Sequence, residues 1–111
     1  MENGREVVLI TGASGRIGFK AAERFSKKYQ VVGFDVQLIG SLPDVEFVGV
    51  DMASDKSISD GMEYVRKKYG NKLAGVVHLA AYYSFAHRFS SSYVKITVQG
   101  TQKLLRQLQS F

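Results

Sequence analysis

The stretch Val7 to Gly18, VVLITGASGRIG, decides the fold. Four apolar residues, Val7-Val8-Leu9-Ile10, run without alternation and break at Thr11-Gly12. Such a run suits a strand buried on both faces, as in a parallel sheet with helices on each side. Glycines follow at Gly12, Gly15 and Gly18, and an amphipathic pattern begins at Arg16 or Ile17. Strand, glycine turn and helix start, in that order, build a site for phosphate. Gly12 suits the tight turn, and Gly15 leaves room for a pyrophosphate against the backbone. Gly18 lets the helix pack close to the strand. The amino end of the helix offers N–H groups without intrahelical partners and a partial positive charge.

Outward from this stretch, strands alternate with helices. Ile17, Ala21 and Phe25 recur at helical spacing, which predicts a first helix from Arg16 to about Lys28 and gives it an apolar face. Val31-Val32-Gly33-Phe34 reads as a second strand ending at Asp35, and Gly40-Ser41-Leu42-Pro43-Asp44 as a loop. Glu46 to Val50 reads as a third strand ending at Asp51. Ser54 or Asp55 is placed to cap a second helix, whose apolar face is Ile58, Met62, Val65 and Tyr69 and whose stop is Gly70-Asn71. Leu73 to Leu79 reads as a fourth strand running into Ala80-Ala81. A loop from Tyr82 to Phe89 precedes a last helix capped by Ser90, Ser91 or Ser92. That helix is apolar on more than one side from Val94 to Leu108 and expects cover on two faces.

The order β-α-β-β-α-β-α implies an α/β fold of three layers: a Rossmann-type parallel sheet of about four strands in order 3-2-1-4, with helices on both faces. The carboxyl ends of its strands then bring together the glycine turn, Asp35, Asp51 and Ala80-Ala81, where ligands bind in such sheets.

Thr11-Gly12-Ala13-Ser14-Gly15-Arg16-Ile17-Gly18 resembles the TGxxGxxG loop of the extended short-chain dehydrogenase/reductases, the NAD-dependent epimerase/dehydratase group. The strand before it and the helix after it are the context that motif requires. The resemblance implies that Gly12, Ser14, Gly15, Arg16, Ile17 and Gly18 hold a dinucleotide. Asp35 lies about twenty residues past the loop, where a carboxylate takes the adenosine ribose hydroxyls. It would repel a 2′-phosphate, because two anions about 4 Å apart cost several kcal/mol at intermediate dielectric. NAD is therefore favoured over NADP, with Arg16 as the opposing feature. Asp51 with Met52 resembles the family's acid–hydrophobic pair at the adenine edge. His78-Leu79-Ala80-Ala81 resembles the family's HLAA signature, which implies that Leu79, Ala80 and Ala81 run against the cofactor. His78 itself reads as a core or edge histidine. Val98-Gln99-Gly100-Thr101-Gln102-Lys103-Leu104-Leu105 resembles the helix written N-V-x-G-T-x-x-L-L, with Thr97 in place of the asparagine.

Family members use a Tyr-x-x-x-Lys pair on the helix after this one. Tyr64-Val65-Arg66-Lys67-Lys68 matches the spacing but falls on the helix between strands 3 and 4, and is rejected. Residues 1–111 thus read as the N-terminal part of an NAD(P)-binding Rossmann domain without the catalytic and substrate-binding portions. The expectation is an oxidoreductase acting on a sugar nucleotide or similar small-molecule substrate when whole, and a fragment inactive alone. The alternative is a non-catalytic dinucleotide-sensing or scaffold module completed by a partner chain. The open edge of strand 4 and the last helix are the expected self-association surfaces.

Composition bounds the remaining classes. The chain has 111 residues, 45% hydrophobic and 23% charged, as one soluble domain would. No apolar run nears the roughly 18 residues of a membrane span, and Met1 to Ile10 is not expected to act as a secretory leader. There is no cysteine, hence no disulfide or thiolate chemistry, and a cytoplasmic protein without a metal is expected. The net charge of +5 is spread over helix ends and reads as solvated faces, not a nucleic-acid site.

Overall fold

The computed structural model describes residues 4–38, 40–81 and 93–111. The loop Tyr82 to Phe89, with His87, and the capping serines Ser90, Ser91 and Ser92 lie outside these. The elements are β1 (Val7–Thr11), α1 (Arg16–Phe25), β2 (Gln30–Asp35), β3 (Val45–Gly49), α2 (Asp55–Tyr69), β4 (Gly75–His78), a π-helical segment (Tyr93–Gln99) and α3 (Gly100–Leu108). The sheet runs β3-β2-β1-β4, all pairs parallel. Thr11 stands opposite both Phe34 and His78, so the carboxyl ends of β2, β1 and β4 finish level.

β1 is buried along its whole length, as its unbroken apolar run predicts. Val7 and Leu9 face one core with Phe34, Ile58, Met62, Val65 and Leu104, beneath α2 and α3. Val8 and Ile10 face the other with Ala13, Ala22 and Val31, beneath α1. Ser54 caps α2 by accepting from the Ser57 amide at 3.1 Å. Asp55 instead sits in the first turn and pairs with Lys103 of α3 at 3.1 Å.

Four details differ from the sequence reading. α1 ends at Phe25, not Lys28. There Ser26 Oγ donates to the Glu23 carbonyl at 2.7 Å, and Lys28 and Tyr29 turn back onto the Phe25 carbonyl. The buried stripe of α1 is Gly18 and Ala22, while Ile17 is 74% exposed and Phe25 37%. Hydrophobicity selects Ile17 and Phe25, but the glycine loop lies so close that only small residues fit beneath the helix. β4 is confined to Gly75–His78. The last helix opens as a π-helix and buries only one α3 stripe, Gly100 and Leu104, leaving Val98 and Leu105 half-exposed.

Among the described residues, no helix is long and apolar enough to cross a membrane. The basic residues Arg24, Arg66, Lys67, Lys68 and Arg106 fall in last helical turns, where they complement the helix dipoles.

Candidate functional site

The glycine turn is built as a tight knot. Gly12 has φ +70°, and a Cβ there would stand 2.9 Å from the Ala80 nitrogen. Its amide and that of Ala13 both donate to the Phe34 carbonyl, at 2.9 and 3.2 Å, which pins the turn to the end of β2. A Cβ on Gly18 would stand 2.0 Å from the Gly12 carbonyl oxygen, so α1 rests on the turn itself. Gly15 differs. Its φ is −73°, and a Cβ there would meet only the Gly12 oxygen at 3.4 Å. The fold does not need glycine at 15, but open space over the backbone does.

That space is part of a crevice of about 270 Å³ at the carboxyl rim. Of the residues expected to hold a cofactor, Gly12, Gly15, Asp35, Asp51, Met52, Leu79, Ala80 and Ala81 line it. Ser14, Arg16, Ile17 and Gly18 do not. Gly18 is buried against the turn, and Arg16 and Ile17 border a separate open hollow with Lys20, Ala21 and Arg24. Ser14 acts through its backbone, donating its amide to Asp35 Oδ2 at 3.0 Å. Phe34, Val36, Val50 and Ile96 also line the crevice and were missed. The first three adjoin the two rim aspartates, and strand-end position alone would have found them. Ile96 comes from the π-helical segment, which no periodicity announces.

The two acids are held differently. Asp35 Oδ1 accepts from the Val36 amide at 2.7 Å and Oδ2 from Ser14, so both oxygens are oriented on the rim. Asp51 is exposed, and its Oδ1 closes a turn onto the Ala53 amide at 2.9 Å. The Asp51 amide donates to Ser57 Oγ at 2.8 Å, which ties the start of this crevice wall to α2. Met52 is buried, and a Cβ on Gly100 would stand 2.6 Å from its carbonyl oxygen, so α3 backs this wall closely.

His78 is not idle packing. Its Nδ1 lies 2.5 Å from Thr11 Oγ1 and its Nε2 2.8 Å from Thr101 Oγ1. Thr11 Oγ1 also accepts from the amides of Leu79 at 3.0 Å and Ala80 at 3.1 Å. Thr101 Oγ1 donates to the Thr97 carbonyl. Burial pushes the His78 imidazole below its ordinary pKa. Thr97, at the family's asparagine position, is half-buried within the π-helical segment.

Tyr64 and Lys68 are not among the crevice residues. Both bond Glu46 of the edge strand β3, as does Tyr69. Burial alone would raise the Glu46 carboxyl, but the bonds from Tyr64, Tyr69 and Lys68 outweigh it and hold the group below its ordinary value. The same carboxylate pushes the Tyr64 phenol up, the opposite of what a proton-transferring tyrosine needs.

The chain's likeness to known proteins agrees with this geometry. Uronate dehydrogenase from Agrobacterium tumefaciens superposes with a TM-score of 0.73 at 20% identity, over 95% of this chain and 36% of that one. A mutant of that enzyme complexed with NAD superposes with a TM-score of 0.71 at 21% identity, over 93% of this chain and 36% of that one. Ligand-free aldohexose dehydrogenase from Thermoplasma acidophilum gives a TM-score of 0.80 at 20% identity, over 95% of this chain and 43% of that one. At such identities the likeness shows the fold, and the chain spans less than half the length of these three structures. Among curated proteins, none matches the sequence. The family model for the NAD dependent epimerase/dehydratase family matches residues 8–110, a span that takes in the glycine turn, both rim aspartates and the π-helical segment. With sheet order, glycine turn and family match in accord, the chain belongs to the NAD-dependent epimerase/dehydratase family.

Proposed function

We propose that this chain binds NAD across its carboxyl-rim crevice, as the N-terminal part of an NAD(P)-binding Rossmann domain in an epimerase/dehydratase-like oxidoreductase. The observation that carries the reading is the contrast between the glycines. Gly12 and Gly18 are demanded by the fold, whereas Gly15 is demanded only by something that occupies the space above it. A diphosphate over Gly15, on the amides of the first turn of α1, is that occupant. Asp35, with both oxygens already aimed along the rim, takes the adenosine ribose hydroxyls and disfavours a 2′-phosphate. Asp51 and Met52 flank the adenine, and Leu79, Ala80 and Ala81 form the opposite wall.

Bound NAD supplies hydride acceptance and return at its nicotinamide. The residues described here bind and orient it. Among the described residues lining the crevice there is no tyrosine or lysine to move a proton, so these residues are expected to bind the cofactor and not to turn over a substrate. The whole protein's substrate is proposed to be a sugar nucleotide or a similar hydroxyl or carbonyl compound. The sugar-acting names of the structural neighbours support that class.

Titration calorimetry with NAD and NADP on the wild-type chain and on Gly15→Val tests the reading. NAD is expected to bind more tightly than NADP. Gly15→Val is expected to weaken NAD by at least about tenfold, roughly 1.4 kcal/mol, in a chain that still unfolds cooperatively. Tighter NADP binding would overturn the role given to Asp35. Wild-type binding of neither dinucleotide would overturn the reading as a whole.

A further inference from the structure

The bonds around His78 fix where every proton lies. A threonine hydroxyl has two acceptor lone pairs and one proton. Thr11 Oγ1 already accepts two amides, that of Leu79 (shared with the Thr11 carbonyl) and that of Ala80. Its own proton therefore points at His78 Nδ1, 2.5 Å away. Nδ1 is then an acceptor, and the ring proton sits on Nε2, which donates to Thr101 Oγ1 at 2.8 Å. The Thr101 proton goes to the Thr97 carbonyl. The chain of donors runs in one direction, from the amides of β4's end, through Thr11 and the imidazole, into the π-helical segment.

Its two ends adjoin walls of the crevice. Leu79 and Ala80, which donate to Thr11, line one side. Ile96, next to Thr97, lines another. Thr11 itself precedes Gly12, the first glycine of the turn. We propose that His78 is a positioning residue for the dinucleotide: held as its Nε2–H tautomer between Thr11 and Thr101, it sets the gap between the Leu79–Ala81 wall and the Ile96 wall. The inference rests on the cofactor reading above and assigns to a residue that touches no cofactor the task of spacing those that do.

The test has two readouts on the 111-residue chain. In nitrogen-15 spectra of labelled histidine, with His87→Gln to assign the signals, the His78 ring is expected to show a bare Nδ1 and a protonated Nε2 near neutral pH. A protonated Nδ1, as the other tautomer or as imidazolium, would overturn the proposal. Thr101→Val removes the acceptor and keeps the shape, and Thr101→Ser restores the hydroxyl. The valine variant is expected to let the ring sample the second tautomer and to weaken NAD about three- to tenfold, the range of one net hydrogen bond. The serine variant is expected to recover both. NAD affinity and ring signals that are the same in Thr101→Val as in wild type would also overturn it. Failure of wild type to bind NAD would instead overturn the cofactor reading, and the ring signals tell the two results apart because they need no ligand.

Discussion

At the scale of single residues, three glycines in one motif carry three different constraints. Gly12 is fixed by its backbone angle and by the chain facing it. Gly18 is fixed by the turn beneath it, and Gly15 by neither. Gly18→Ala is therefore expected to destabilise the chain by about 1–3 kcal/mol, the range for an overpacked site, because the neighbour at 2.0 Å is backbone and does not yield. Urea denaturation of wild type and variant measures this, and an unchanged midpoint would contradict the packing described. The motif's spacing made all three glycines legible in the sequence. What was not legible was the division of labour, because spacing records which residues are small and not what presses on them. Ile17 shows the same limit. Its apolar side chain suggested a buried helix face, yet it is exposed at the turn's outer side, since the contact with the sheet is made at Gly18 and Ala22.

At the scale of elements, β4 is short but holds the sheet to α3 through one imidazole. Its family-like sequence was plain, whereas the bonds from His78 to Thr11 and Thr101 were not. They join positions 67 and 23 residues apart, and no local pattern encodes such a meeting. A pH dependence follows. The folded state lowers the His78 pKa below its ordinary 6.5, so the unfolded chain binds the proton more readily. The associated stability is present above about pH 6.5 and is lost as pH falls through the folded value. Wild type is expected to lose more stability than His78→Gln between neutral and mildly acidic pH. Parallel slopes in urea melts across that range would refute it. The Tyr64–Lys68 string belongs to this scale as well. A spacing match is cheap on a helix, and the partner decides its meaning. Here the partner is Glu46 of β3, which anchors α2 to the sheet edge.

For the whole molecule, the two-sided burial of β1 is what the apolar run predicted most directly, and the strand order followed from alternation of strands and helices. Leu9 is fully buried in the larger core, and Leu9→Ala is expected to cost about 2–5 kcal/mol. In a domain of this size each 1 kcal/mol moves the melting temperature by roughly 4–8 °C. Calorimetric scans check this, and a shift of only a degree or two would mean that the core is less closely packed than described. Because all strands finish at one rim, the same burial that stabilises the sheet also delivers Gly12, Asp35 and Leu79 to a shared edge.

If a dinucleotide docks at Asp35 as proposed, the bond from the Ser14 amide alters what its arrival is worth. A ribose reaching that carboxylate would meet an acceptor whose two oxygens each already hold one amide, so it would take the remaining lone pairs of a group whose charge the protein has partly satisfied. The enthalpy released should be smaller than a count of new contacts suggests. On the proposed reading, the reward at this position is selectivity between sugars that carry a hydroxyl and sugars that carry a phosphate, with little added grip.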